Sequence, residues 1–139
     1  MSKAYIGGCA CGAIRYEIAS EPVSMNHCQC RHCQQKSGTG HGSYLTFVTR
    51  KSVKLKGEAT HWNVTGDLGT VKTRAFCPVC GSPVYMIFDA MPDIFIVHAA
   101  SLDEPGRFKP QKVMFSSSGH DWDYIDPALP KFEKMPPRG

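Results

Sequence analysis

The chain lacks any apolar run approaching the roughly 20 residues a membrane-spanning helix needs, and its first residues, Met1 to Gly8, contain no apolar signal core. A soluble, cytoplasmic protein with no membrane partner is the expectation. No stretch carries five or six like charges, so the formal net charge of +4 is spread along the chain. Lys51, Lys54 and Lys56 come nearest to a basic cluster. A solvated strand face accounts for them more simply than a nucleic-acid track, and nucleic acid is not an expected partner. Internal repeats, linkers and low-complexity tracts are also missing. At 139 residues, 42% hydrophobic and 20% charged, the chain is expected to form a single globular domain over 1–139. Residues 116–139 read as an irregular tail packed on that body through Trp122, Tyr124, Leu129 and Phe132.

Helical periodicity is scarce too. Only Arg31 to Lys36 suggests a turn or two of helix, ended by Ser37-Gly38-Thr39-Gly40. Elsewhere short alternating or β-branched segments recur between Gly and Pro: Tyr5-Ile6, Ala13 to Ile18, Val23 to Asn26, Ser43 to Val48, Val53 to Lys56, Thr60 to Val64, Val71 to Phe76, Pro83 to Phe88, Ile94 to His98 and Gln111 to Phe115. This pattern predicts a mainly β fold.

What the chain has in excess is cysteine. Seven are present, an odd number that cannot pair completely within one chain. In a reducing compartment, closely spaced cysteines more often bind metal or do redox chemistry than form stable disulfides. Cys77-Pro-Val-Cys80-Gly81 is a C-x-x-C knuckle between two strand segments, a spacing that recurs in structural zinc sites, and Cys9-Ala-Cys11 can supply two further sulfurs. A redox dithiol or ordinary buried cysteines are the competing readings of the knuckle. A thioredoxin-like pair, however, would sit at a strand-to-helix junction.

Cys28, Cys30 and Cys33 remain. In extended backbone Cys28 and Cys30 point the same way, and a turn at Arg31-His32 can bring Cys33 to them. A closed zinc site has four protein ligands, whereas three leave a position for water or substrate. A closed site completed by His27 or His32, and a trio without metal, are the alternatives. His41, His61, His98 and His120 read as structural or surface histidines, with His41 the one nearest the trio.

Four segments in order, Gly7 to Tyr16, His27 to Cys33, Phe76 to Pro83 and Ala100 to Asp103, resemble the glutathione-dependent formaldehyde-activating enzyme family, which includes centromere protein V. The resemblance implies a β-tent of packed antiparallel sheets with zinc-binding knuckles. It also implies two zinc ions per chain: a structural one on Cys9, Cys11, Cys77 and Cys80, and a catalytic one on Cys28, Cys30 and Cys33. The expected activity is a carbon–sulfur lyase or synthase reaction, adding a small-molecule thiol such as glutathione to formaldehyde or another small aldehyde.

Three thiolates and one zinc ion sum to −1, which favours a thiol over water in the fourth position. The proton needed by the alkoxide could come from His32, His41 or water, and Arg31 or Lys36 could meet a substrate carboxylate. A zinc-stabilised module that binds a thiol or a protein without turnover is the alternative function. The oligomeric state is not legible in the sequence.

Overall fold

A computed structural model describes residues 3–66 and 69–136; Met1, Ser2, Asp67, Leu68 and the tail residues 137–139 lie outside the described residues. Ten strands and one α-helix follow in chain order: β1 (Tyr5–Gly8), β2 (Arg15–Ile18), β3 (Ser24–Cys28), α1 (Arg31–Ser37), β4 (Gly42–Phe47), β5 (Lys54–Lys56), β6 (Thr60–Thr65), β7 (Val71–Phe76), β8 (Pro83–Phe88), β9 (Phe95–His98) and β10 (Lys112–Met114). Strands β1, β2 and β5 form a three-stranded sheet. The other seven form a second sheet in the order β10-β3-β4-β9-β8-β7-β6. The pairings are antiparallel except for β10, which lies parallel to β3. These packed sheets are the mainly β architecture expected of a β-tent.

The period-two patterns decide which face each side chain meets. In β2, Tyr16 and Ile18 are buried while Arg15 and Glu17 are half-exposed. They join Ile14 in a core with Leu45, Phe47, Val84, Phe95 and Val97 from the large sheet. Each such side chain contributes roughly 1.5–3 kcal/mol through burial. Tyr5 and Phe47 meet edge to face with centroids 5.4 Å apart, linking β1 to β4. No helix among the described residues is long and apolar enough to cross a membrane.

The opposite face of the large sheet carries a second, smaller cluster. Register places Tyr44 beside His98, Ile96 beside Met86, and Met86 beside Arg74. Cys28, Cys33, Tyr44 and Met86 are buried together there, with Cys30, Ile96, Met114 and Phe115 packed around them. Helix α1 lies across this face, with the Lys36 ammonium 4.3 Å from the centre of the Trp62 ring on β6.

The tail is anchored differently from the sequence expectation. Trp122 and Tyr124 are 67% and 83% exposed, so neither holds it down, whereas Leu129 and Phe132 are half-buried. A turn closed by the Asp123 amide on the His120 carbonyl leaves both aromatics exposed, while the Asp123 side chain is only 5% exposed. Backbone hydrogen bonds from Val113 to Pro130, from Phe132 to Val113 and from Phe115 to Lys134 also lay the tail along β10.

Candidate metal centres

The seven cysteines gather into two groups, Cys9/Cys11/Cys77/Cys80 and Cys28/Cys30/Cys33, and within each group the sulfurs lie within 4.8 Å of one another. In the first, Cys9 and Cys11 follow β1, while Cys77 and Cys80 form the turn from β7 to β8. That turn is closed by backbone hydrogen bonds from the Cys77 amide to the Ser82 carbonyl and from the Gly81 amide to the Cys77 carbonyl, with Gly81 at φ 76°. A side chain would strain that left-handed position. The Cys9–Cys11 and Cys11–Cys77 sulfur separations are both 3.7 Å. A tetrahedral ion with metal–sulfur bonds of about 2.3 Å, as zinc has, places its ligands roughly 3.8 Å apart, which both of these edges match.

Backbone amides point at these sulfurs. Ile14 donates to Cys9 at 3.2 Å, and Val79 and Cys80 donate to Cys77 at 3.3 and 3.4 Å. The exposed Cys80 thiol is drawn down to about 5 by its hydrogen bonds with Ser82 and nearby amides. Both effects favour thiolate, the form that binds metal.

The trio arises where β3 ends and α1 begins. Cys28 is the last residue of β3, Cys30 is the N-cap of α1, its sulfur accepting from the Cys33 amide at 3.3 Å, and Cys33 lies in the first turn. Cys30 and Cys33 sulfurs are 2.9 Å apart. A tetrahedral ion would require that edge to open by about 0.9 Å. Cys28 and Cys30 hydrogen bonds lower the Cys33 thiol, and the Arg74 guanidinium adds to the effect, while the same mutual bonds raise Cys28.

Neither histidine proposed as a fourth ligand joins the trio. His27 lies on the other face of β3, where its Nδ1 is 2.8 Å from the Ser43 hydroxyl, and exposed His32 sets its ring edge-on to Trp62. Sequence reasoning missed the partner that is present. Arg74, 4% exposed, directs Nη2 at the Cys33 sulfur from 3.6 Å. Its Nε and Nη1, together with the buried Tyr44 hydroxyl, have no hydrogen-bond partner. The signal available in sequence was a lone arginine at a core-facing strand position, which only register connects to Cys33.

A cleft of about 590 Å³ is lined by Cys9 of the first group with Arg15 and Asp103, and across from them by Lys36, Thr39, His41, Ser43 and His98. None of the trio cysteines lines it; it approaches their cluster through His98, whose ring centroid is 5.0 Å from that of Tyr44. Asp103 receives both Arg15 nitrogens, at 2.9 and 2.5 Å. Arg31 instead contacts Gln34, on its own helix, and does not line the cleft.

A family model described as glutathione-dependent formaldehyde-activating enzyme matches residues 4–118, a span that contains all seven cysteines. The chain belongs to this family. Within it, a curated Halomonas elongata protein, named provisionally as a glutathione-dependent formaldehyde-activating enzyme, is 25% identical over 126 residues, covering 86% of this chain and 80% of that protein. A crystal structure of a Rhodobacter sphaeroides protein superposes with a TM-score of 0.53 at 20% identity, over 70% of this chain and 87% of that one, and so shares the fold. The family match ends at residue 118, before Asp123.

Two histidines of the family member's large sheet are held neutral. Burial lowers both His27 and His98 to about 4, with His41 adding to the effect on the first and Arg74 on the second. The unfolded chain protonates each near the ordinary 6.5, so stability is unaffected above that pH and falls as the pH drops from 6.5 towards 4. Denaturant midpoints measured on either side of that window should differ, with the acid one lower. Equal midpoints would contradict the burial of neutral rings.

Proposed function

We propose that the chain is a zinc-dependent enzyme that forms and cleaves a carbon–sulfur bond, adding a thiol such as glutathione to formaldehyde or another small aldehyde. The observation that carries this reading is the trio of sulfurs with no fourth protein ligand among the described residues, backed by a buried arginine; a cleft that can take a small-molecule thiol meets the same cluster at His98 and Tyr44. Cys28, Cys30 and Cys33 would hold the catalytic zinc, and Cys9, Cys11, Cys77 and Cys80 the structural one. Bound by the trio, zinc would supply Lewis acidity that favours the thiolate form of a coordinating thiol.

The chain's own residues account for the rest. Arg74 is permanently charged and offsets the negative charge gathered on the three sulfurs. Burial raises the Tyr44 phenol well above its ordinary range, so its hydroxyl keeps its proton and is available to donate to a bound substrate. In the cleft, the Arg15 fork is already taken by Asp103, which leaves Lys36 as the cation available to a substrate carboxylate.

Metal analysis and kinetics test the proposal together. The purified protein should hold two zinc ions per chain and speed hemithioacetal formation from glutathione and formaldehyde above the spontaneous rate, as followed by exchange NMR. Full metal content with no acceleration for any thiol and aldehyde pair would favour a binding module instead.

A further inference from the structure

Asp123 comes from the tail to meet His41, a residue of the cleft wall. The His41 Nδ1 lies 2.9 Å from both carboxylate oxygens, and Gln29 donates its amide Nε2 to Oδ2 at 3.1 Å. An ionised carboxylate can only accept, so Nδ1 carries the hydrogen, and in the neutral ring the lone pair is then on Nε2. His41 makes no other hydrogen bond among the described residues, and its ring lines the cleft. It precedes Gly42, the ladder partner of Cys28, and its ring packs edge to face on His27 with centroids 4.5 Å apart.

The fit around the carboxylate is close. A Cβ at Gly40 would lie 2.2 Å from Asp123 Cγ, and one at Gly119 would lie 2.7 Å from the Gln29 amide. Only glycine at these positions lets the tail approach. His120, in the same tail, is 3.0 Å from the Gln34 side chain, whose amide donates to the Gln29 and Ser118 carbonyls. Asp123 is therefore seated in a built socket, in a segment the family match does not reach.

We infer that His41 is the proton carrier of the reaction and that Asp123, supplied by the C-terminal tail, is its positioning residue. This rests on the thiol–aldehyde reading above. The neutral His41 Nε2 accepts the proton of the thiol S–H; the sulfur then forms a bond to the carbonyl carbon, and the C=O π pair moves to oxygen. That oxygen takes the same proton back from Nε2, so the hydroxymethyl thioether forms with no net change at His41. Asp123 fixes the tautomer and stabilises the intervening imidazolium. The charged and titratable groups around His41 are Asp123 from the tail, His27 from β3, and Lys36, His98, Arg15 and Asp103 along the cleft.

The test compares zinc-loaded wild type, His41→Gln and Asp123→Asn in glutathione–formaldehyde exchange across the histidine titration range, alongside NMR of the wild-type His41 ring. His41→Gln should lose about 10²–10⁴-fold in kcat with KM little changed. Asp123→Asn should lose less, in kcat rather than KM, because the ring has lost the carboxylate that fixes its tautomer. The wild-type ring should give a protonated Nδ1 signal, a readout that stands even if a variant fails to fold. If wild type is fast but His41→Gln stays within about 3-fold and keeps the same pH profile, the His41 assignment falls alone. A wild-type ring protonated on Nε2 overturns the role of Asp123. A wild type that accelerates nothing overturns the proposed function, and this assignment with it.

Discussion

Replacing Cys77 by serine is expected to remove one metal ion per chain and to lower the melting temperature by roughly 6–20 °C. Cys77 is wholly buried and sits 3.7 Å from Cys11, so its sulfur joins the turn after β1 to the turn between β7 and β8. Those turns belong to different sheets. A metal bound there closes a loop of nearly half the chain, 66 positions from Cys11 to Cys77, and binding energy available only to the folded state adds to its stability. By comparison with losing a native cross-link, the cost is roughly 3–5 kcal/mol. At about 2–4 °C per kcal/mol for a domain near this size, the shift should be plain in a thermal melt. Chelation of the wild type should reproduce it. A Cys77→Ser protein with wild-type melting behaviour and full metal content would remove this group from the metal sites.

Cys33→Ser should behave in the opposite way, keeping the fold and losing the chemistry. The substitution changes little volume, but a serine hydroxyl is a poor zinc donor and stays protonated at neutral pH. One metal ion should be lost and the thiol–aldehyde rate should fall by at least about 10³-fold, close to the uncatalysed rate. Arg74 would then face a neutral hydroxyl rather than a thiolate, a loss of about 1–3 kcal/mol, smaller than that expected for Cys77→Ser. Metal content, circular dichroism and exchange rate on the two variants separate the roles. If Cys33→Ser unfolds the chain while Cys77→Ser leaves it stable and inactive, the two sites have been assigned the wrong way round.

Sequence patterns located the strands and both cysteine groups because those signals are local. Alternation at period two marks β2 within six residues, and the C-x-x-C spacing of Cys77 and Cys80 lies in a single turn. Arg74 and Asp123 were out of reach for the converse reason. Arg74 comes to Cys33 across 41 positions, through the register of a sheet whose order could not be read in advance, and Asp123 comes to His41 across 82. The tail was misjudged by treating aromatic residues as anchors. Trp122 and Tyr124 lie outward because the residue between them makes the buried polar contacts, and the gain from those contacts outweighs the exposure of two rings.

The place of β3 in the large sheet also governs when this protein can fold. Its neighbour on one side is β4, reached within 20 residues, but on the other it is β10, about 85 residues further along. Pairings so distant in sequence are slow to form, since the intervening chain must be ordered first. During synthesis, Cys28, Cys30 and Cys33 emerge from the ribosome well before Met114, the residue that pairs with Cys28. The trio therefore spends that interval as uncovered thiols, and early capture of a metal ion would shield the nascent chain from oxidation until its last strand closes the sheet.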